Sequence, residues 1–156
     1  MADDPQLLTD VRLALRHSEL RPVYVADTVE RRVTTLQASR RLADLALASG
    51  RDNLGQAVFT RLLTPRGELA ELAHPEYGSR LHELIGRPNN ETTRNLARLY
   101  ILESLKQEGR IAKVLEVDVS PSPGTRDRVD VRLRVLPIGP IDPAGALSLG
   151  PFSLEL

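Results

Sequence analysis

The strictest alternation of apolar and polar positions lies between residues 115 and 135. Two segments, 115–119 and 129–135, place an aliphatic side chain at every second position and charged residues between them. The aliphatic positions are Leu115, Val117, Val119, Val129, Val131, Leu133 and Val135. Prolines and Gly124 separate the two segments. This period of two on both sides of turn-forming residues predicts an antiparallel hairpin with one dry and one wet face.

Apolar residues recur at helical spacing in two earlier segments, 52–63 and 91–107. The residues that define the two apolar faces are Leu54, Val58 and Leu62 in the first segment, and Ala97, Ile101 and Leu105 in the second. A hairpin alone is only marginally stable, so we expect the 91–107 helix to cover its dry face. The order of helices followed by strands predicts an α+β fold, a small antiparallel sheet whose C-terminal hairpin packs against two or three helices.

The ends of the chain differ from this centre, and we expect three regions. Residues 1–44 are predicted to form an N-terminal helix and an extension, because Leu8, Val11 and Leu15 fall on one helical face. Residues 45–136 form the core domain. Residues 137–156 form an arm rich in proline and glycine that ends in alternating apolar residues. An apolar terminal strand closes the sheet of its own chain or pairs with a neighbouring chain, and the sequence leaves both arrangements open.

Composition excludes several functional classes. The 156 residues include 21 basic and 21 acidic side chains, so no overall field attracts nucleic acid or an anionic membrane. We therefore expect no nucleic-acid partner and no membrane insertion. The chain lacks cysteine, which removes thiolate metal sites and cysteine nucleophiles. Its three histidines have no metal-ligand spacing and it has no glycine-rich phosphate loop, so we expect neither a metal nor a cofactor.

Two arginine doublets, Arg31-Arg32 and Arg40-Arg41, occur in the N-terminal region. Guanidinium groups are well suited to phosphate. However, Glu30 and Asp44 lie beside the doublets and offset their charge. The sequence therefore favours a solvated or ion-paired surface over a phosphate site.

Carboxylates are the remaining candidates for catalysis, since a glycosidase needs only two. Four glutamates lie close together in the sequence, at Glu68, Glu71, Glu76 and Glu83. A catalytic acid with a raised pKa needs an apolar pocket. Sugar clefts usually add aromatic platforms, but Tyr77 is the only aromatic residue nearby and tryptophan is absent. We therefore expect no enzyme and no catalytic residues, with a lysozyme-like peptidoglycan glycosidase as the alternative.

The segments between Leu45 and Val135 also form an ordered series of short motifs. They are Asp52-Asn53-Leu54, Leu62-Leu63-Thr64-Pro65-Arg66-Gly67-Glu68-Leu69, His74-Pro75-Glu76-Tyr77-Gly78-Ser79-Arg80-Leu81, Leu84-Ile85-Gly86, and Glu108-Gly109-Arg110-Ile111 before the hairpin. This series resembles the GPW-type family of baseplate wedge and sheath-initiator proteins, which includes wedge proteins of contractile phage tails and the TssE-like proteins of type VI secretion. The family has Glu-Pro-Arg at the junction where this chain has glycine in the middle.

The resemblance implies a fold similar to the handshake domain of the sheath and a structural function. The chain would link the baseplate wedges to the first sheath ring and nucleate sheath assembly by β-strand exchange. The implied partners are the sheath protein and other wedge proteins, with tube or hub proteins as further candidates, in a six-fold ring. The chain would be cytoplasmic during assembly and then part of the baseplate of a phage tail or injection particle. A free adaptor that binds a peptide strand is a further alternative.

The candidate contact residues lie in the two turns, at the helix-to-strand junction and on the hairpin. They are Arg66, Glu68, Tyr77, Arg80, Glu108, Arg110, Arg132 and Arg134. The resemblance assigns Glu108 and Arg110 to contacts with neighbouring wedge subunits.

Overall fold

The computed structural model describes residues 5–18, 21–34, 39–139 and 145–156. The chain divides into two compact units, Met1–Gln56 and Ala57–Leu156. The α-helix α1 (Gly50–Leu63) contributes residues to both units. Among the described residues, no helix has the length and apolar character required to cross a bilayer.

Among the described residues of the first unit, six short strands pair as three antiparallel two-stranded ribbons. The ribbons are β1 (Thr9–Val11) with β6 (Leu47–Ser49), β2 (Leu13–Ser18) with β3 (Arg21–Ala26), and β4 (Thr28–Thr34) with β5 (Ser39–Leu45). A 3₁₀ helix at Pro5–Leu7 precedes them. The side-chain amide of Gln56 accepts from the Leu13 amide and donates to the Val11 carbonyl, both at 2.8 Å. This side chain therefore satisfies backbone groups on both sides of the β1–β2 connection.

The three ribbons meet at a closed cycle of backbone hydrogen bonds. Three of the strand connections consist of a single residue. Arg12 connects β1 to β2, Asp27 connects β3 to β4, and Ala46 connects β5 to β6. The Arg12 amide donates to the Ala46 carbonyl at 2.7 Å, the Asp27 amide to Arg12 at 2.8 Å, and the Ala46 amide to Asp27 at 2.9 Å. Each residue therefore donates one bond and accepts one, which holds the bases of the three ribbons together.

The predicted N-terminal helix is wrong, because its residues lie in β1 and β2. The apolar residues Val11, Leu13 and Leu15 also follow a period of two, which competes with the helical spacing of Leu8, Val11 and Leu15. The strand pattern prevails because β6 and β3 supply partner strands. Local spacing contains no information about such partners.

The second unit confirms the predicted α+β fold. It contains α2 (Glu91–Leu105), β7 (Ile111–Pro121), β8 (Arg128–Pro137) and β9 (Leu147–Glu155), with short 3₁₀ helices at Ala70–Leu72 and Leu81–Leu84. The antiparallel sheet has the order β7-β8-β9, and α2 packs against β7. Asn90 begins α2 by accepting the Thr93 amide at 2.8 Å, as an N-cap does.

The predicted hairpin is present as β7 and β8. The strand β8 lies at the centre of the sheet and supplies most of its buried side chains. Val129, Val131, Leu133 and Val135 are almost completely buried, whereas Arg132 and Arg134 between them are exposed. Ala97, Ile101 and Leu105, the predicted apolar face of α2, are also buried. Alternation in the strand and helical spacing in the helix thus identify the residues that form the core.

The end of the C-terminal arm pairs with its own chain. In β9, Leu147, Leu149, Phe152 and Leu154 pair with residues of β8, and the ring of Phe152 meets that of Phe59 edge to face at 5.3 Å. The part of the predicted arm at 140–144 lies outside the described residues. Of the two arrangements that the sequence left open, β9 therefore adopts the one within the chain.

Candidate interaction site

Tight backbone contacts position the two predicted turns. The Ser79 amide donates to the Thr64 carbonyl at 2.8 Å and the Arg66 amide to the Ser79 carbonyl at 2.9 Å, so the 64–79 loop closes on itself. Gly78 has φ +106° and its backbone approaches Thr64 so closely that a Cβ atom would stand 2.5 Å from that carbonyl oxygen. Ser104 of α2 donates to the Gly78 carbonyl at 3.0 Å. The loop is therefore held against α2 in one defined conformation.

A cluster of four side chains lies where α1, the loop and the start of β7 meet. We call Arg61, Tyr77, Glu108 and Arg110 the junction cluster. The Arg110 Nε and Nη2 atoms donate to the two Glu108 carboxylate oxygens at 2.7 and 3.2 Å, and Arg61 Nη2 lies 3.5 Å from the same carboxylate. The Arg61 guanidinium carbon lies 4.4 Å from the centre of the Tyr77 ring, a cation–π distance.

The junction cluster is largely shielded from solvent. The side chains of Glu108, Arg61 and Arg110 are 8%, 11% and 18% exposed. The cluster contains two guanidinium groups and one carboxylate, and among the described residues the Nε atom of Arg61 has no hydrogen-bond partner. A buried ion pair of this kind is weak evidence for net stability, but its loss is costly once one partner is removed.

The electrostatics of the junction cluster keep Glu108 ionised. Burial alone would raise its pKa, but the hydrogen bonds and charge of Arg110, together with the charge of Arg61, outweigh burial and hold the pKa of Glu108 below its ordinary value. Burial also raises the pKa of the Tyr77 hydroxyl, mainly because water is excluded from it. Glu108 therefore serves as a fixed anion between two cations.

A second group of ion pairs lies on the outer side of the loop and on α2. We call Arg66, Glu76, Arg80, Glu83 and Glu103 the turn cluster. Arg66 donates to Glu76 and, at 2.6 Å, to Glu103. Arg80 donates to both oxygens of Glu83 at 2.8 and 2.9 Å. Its guanidinium carbon lies 4.4 Å from the centre of the Tyr100 ring. A depression lined by Arg66, Arg80, Tyr100 and Glu103 has no room for an enclosed water molecule.

Arg132 and Arg134 lie on the exposed face of β8, opposite the buried valines. Arg132 faces Asp118 of β7 at 3.7 Å and Arg134 faces Glu116 at 3.6 Å. These are direct cross-strand neighbours in the sheet. Exposed pairs at such distances contribute about 0–1 kcal/mol each, so both arginines remain accessible for contacts with another protein.

The structure brings together only part of the predicted site. Tyr77, Glu108 and Arg110 meet in the junction cluster, whereas Arg66 and Arg80 belong to the turn cluster. The hairpin residues Arg132 and Arg134 form a separate exposed row, and Glu68 is an exposed turn residue.

The sequence analysis missed Arg61, Tyr100 and Glu103. A signal for Arg61 exists, because it follows Val58 by three residues and Leu54 by seven, on the apolar face of α1. A charged residue at a core-facing position predicts a buried partner.

In the part of the chain that the structure describes, the carboxylates whose pKa is clearly displaced are displaced downward. They are Glu83, held by its hydrogen bond from Arg80; Glu108, described above; and Asp130, held by hydrogen bonds from Ser122 and Ser153. A glycosidase acid needs the opposite displacement, so that it still carries a proton at neutral pH. The chemistry of both clusters is that of ion pairing and hydrogen bonding.

Comparison with known proteins gives a match in fold alone. No known family profile matches the chain, and no curated protein matches its sequence. Among solved structures, one from Geobacter sulfurreducens carries the provisional name tail lysozyme. The two chains are 21% identical with a TM-score of 0.55, and the match covers 72% of this chain and 96% of that one. The chain therefore shares the fold of this tail protein.

Proposed function

We propose that this chain is a structural, non-enzymatic component of a contractile phage-tail-like particle. In this proposal it joins the baseplate wedges to the first sheath ring and nucleates sheath assembly by β-strand exchange. The main support for this proposal comes from the β7-β8-β9 sheet. Among the described strands, none pairs with the outer edge of β7 or of β9, so main-chain donors and acceptors along both margins are available to a partner strand.

Two further features support the proposal. The fold is shared with a protein whose provisional name places it in a tail. The motif series from Leu45 to Val135 resembles wedge and sheath-initiator proteins, and its two turns carry the ion-paired turn cluster described above. Under this proposal the turn cluster and the arginines of β8 contact neighbouring wedge and sheath subunits in a six-fold ring, and the shielded junction cluster holds the helix-to-strand junction in place.

The energetics of strand exchange set how such a joint behaves. One added strand makes about five backbone hydrogen bonds, each worth a net ~1 kcal/mol. Ordering the incoming segment costs a comparable amount, so a single joint is weak. A ring of identical joints makes later contacts intramolecular, and avidity supplies the stability. The isolated chain should therefore bind monomeric sheath protein poorly and still be required for sheath nucleation.

A deletion experiment tests the structural role. Particles are prepared from cells that lack this chain and examined by electron microscopy. We expect baseplates without sheaths, with assembly restored by the wild-type chain. Full-length sheaths on baseplates that lack the chain would contradict the proposal. Failure of the chain to purify with assembled baseplates or with wedge proteins would instead favour a free adaptor that binds a peptide strand.

A charge swap across β7 and β8 tests the contact surface without breaking the sheet. The double substitution Glu116→Arg with Arg134→Glu preserves the cross-strand ion pair and reverses both charges towards a partner. We expect an unchanged unfolding midpoint and loss of sheath nucleation. The single substitution Glu116→Gln is the matched control, because it leaves Arg134 in place. Normal sheath nucleation by the swapped chain would show that Arg134 does not contact the partner subunit.

The name of the structural neighbour favours a second candidate function, a peptidoglycan glycosidase. Among the four clustered glutamates, the hydrogen bond from Arg80 holds the pKa of Glu83 below its ordinary value, which argues against Glu83 as a general acid, because a general acid must hold its proton. Clearing of a peptidoglycan suspension by the purified chain is the direct test, with Glu68→Gln and Glu76→Gln as comparisons. Lysis that depends on either glutamate would overturn the structural proposal.

A further inference from the structure

The hydrogen bonds between β7 and β8 determine which backbone groups of β7 point away from the sheet. The Ser122 amide donates to the Arg128 carbonyl at 3.0 Å, and the register places these two residues opposite each other. In an antiparallel pair, residues that bond to each other alternate with residues whose backbone groups point to the other side. The amides and carbonyls of Val117 and Val119 are therefore directed outward. Among the described residues outside the sheet, no backbone group bonds to either amide.

The outer edge of β9 is less suited to a further strand. Leu156 donates inward to the Asp127 carbonyl at 2.8 Å, so by the same alternation Ser153 and Glu155 direct their amides outward. The next outward position is Pro151, which has no N–H, and the register shifts beside it. Proline and bulges hinder pairing at a sheet edge. The edge of β9 is thus interrupted in its middle.

The edge of β7 is regular where its charge is concentrated. Its register is continuous over the last six residues, Glu116 to Pro121. Glu116 and Asp118 lie on the exposed face there, with side chains 57% and 38% exposed. The arginines of β8 flank these acids on one side only. The other side faces the free edge, where a further strand would lie.

The alternation along β7 sets the composition of a strand that fits this edge. Residues that face each other across two strands lie on the same face of the sheet, and opposite charges stabilise such pairs. Positions opposite Glu116 and Asp118 therefore favour lysine or arginine. Positions opposite Val117 and Val119 lie on the buried face and favour apolar residues. Val117 is only partly covered in the chain, so an added apolar neighbour would shield it further.

A second copy of this chain does not meet these requirements. An antiparallel copy of β7 centred on Asp118 would place Asp118 opposite Asp118. A copy centred on Val117 would place Glu116 opposite Asp118. Like charges directly opposite each other are destabilising, so the occupant of this edge is a different protein.

We propose that the edge of β7 over residues 116–121 accepts an extended segment of a partner protein in which basic and apolar residues alternate. The proposal rests on the strand-exchange function proposed above and names its acceptor edge and the chemistry of the incoming strand. Cations of that strand would continue the charge alternation that begins with the arginines of β8 and the acids of β7. Backbone hydrogen bonds provide the affinity in this mode of binding, and the side-chain pattern provides the specificity.

Titration of the full, isotope-labelled chain with two short peptides, followed by nuclear magnetic resonance, tests this edge. Valine and lysine alternate in one peptide, and glutamate replaces lysine in the other. Concentrations reach the millimolar range, because a single added strand binds weakly. We expect saturable shifts at the amides of Val117 and Val119 and not at those of Ser153 and Glu155. The lysine peptide should bind about fivefold or more tightly than the glutamate peptide, and the difference should shrink as salt is added.

A proline substitution at each edge provides a matched pair of variants. Val117→Pro removes an outward N–H of β7 without removing a bond to β8, so it should weaken binding of the lysine peptide by about tenfold or more. Glu155→Pro removes an outward N–H of β9 and should bind within about twofold of wild type. The amide spectrum of each variant reports whether the sheet has formed. The comparison of the two peptides on the wild-type chain needs no variant and decides the proposal if Val117→Pro does not fold.

Three outcomes would overturn this edge as the acceptor. They are peptide-induced shifts centred on β9, equal affinity for the lysine and glutamate peptides, and the absence of saturable shifts with either peptide. None of them would restore sheaths in the deletion experiment, which tests the structural role independently. Full-length sheaths in that experiment would reject the structural role itself, whatever the peptides bind.

Discussion

The carboxylate of Glu108 accepts hydrogen bonds from both the side chain and the backbone of Arg110, at 2.7 Å from Nε and 3.3 Å from the amide. The two residues flank Gly109, immediately before β7 begins. Because the same carboxylate lies 3.5 Å from Arg61, it fastens the chain after α2 to the end of α1. The junction between helix and sheet is thus fixed by one anion and two cations.

Replacement of Glu108 by glutamine should be strongly destabilising. The amide cannot neutralise Arg61 and Arg110, which are 11% and 18% exposed. Removing one partner of a buried ion pair lowers the free energy of unfolding by about 3–5 kcal/mol. Chemical denaturation followed by circular dichroism measures it. The control is Glu116→Gln, whose exposed pair with Arg134 should cost less than about 1 kcal/mol; equal effects of the two variants would contradict the role of burial.

The stability contributed by Glu108 should disappear in acid. Its pKa in the folded chain is held below its ordinary value, so the folded state favours the ionised form. The contribution is complete above the ordinary pKa of about 4.3 and is lost as the pH falls through the lower folded-state pKa. Glu83 and Asp130 also have lowered pKa values. Both residues are present in the wild type and in Glu108→Gln, so their contributions cancel in the difference between the two. The difference in unfolding free energy between wild type and Glu108→Gln should therefore shrink from about pH 6 to about pH 3; a constant or growing difference would refute the assignment.

Elements that bury one regular face were predictable from the sequence. The 115–135 hairpin, α1 and α2 each have a single apolar periodicity, and their partners follow closely in the chain. In α2, Asn90 adds a local start signal that the structure uses. Burial and local geometry agree in α1, α2 and β8, so spacing identifies both the element and its core face there. In β7 the prediction for Leu115 is wrong, because the register shifts between Val114 and Glu116 and leaves Leu115 42% exposed.

The N-terminal ribbons were not predictable in the same way. Val11 and Leu15 fit a helix and a strand equally well, and the choice depends on β6, which begins at Leu47. The hydrogen-bond cycle that joins Arg12, Asp27 and Ala46 uses only backbone atoms, so the residue types at these positions do not predict it. The partial assembly of the candidate site has a related cause, because Arg61 meets Glu108 through a contact between residues distant in the sequence.

Gly109 lies between Glu108 and Arg110, but its backbone conformation is one that other residues can also adopt. Its φ is outside the left-handed region, and nothing lies within 4 Å of a Cβ built there. Gly109→Ala should therefore stabilise the chain by about 0.5–1 kcal/mol, because alanine restricts the unfolded state more than glycine does. Gly86 is the matched control. It has equally open surroundings but φ +83°, so Gly86→Ala should destabilise by about 1 kcal/mol. Denaturation midpoints that shift in the same direction would contradict this prediction.

Gly78 should be the least replaceable glycine of the 64–79 loop. A Cβ atom would meet the Thr64 and Pro65 carbonyl oxygens at 2.5 and 2.9 Å, and φ is +106°. Backbone atoms cannot move aside without breaking the Ser79–Thr64 and Ser104–Gly78 hydrogen bonds, so Gly78→Ala should cost about 3 kcal/mol or more. Gly67→Ala isolates the conformational part, because Gly67 has φ +90° and nothing within 4 Å; it should cost only about 1 kcal/mol. Hydrogen exchange of the Ser79 amide reports the loop directly, and it should accelerate far more in Gly78→Ala than in Gly67→Ala. Equal protection of that amide in the two variants would show that close packing against Thr64 does not hold the loop.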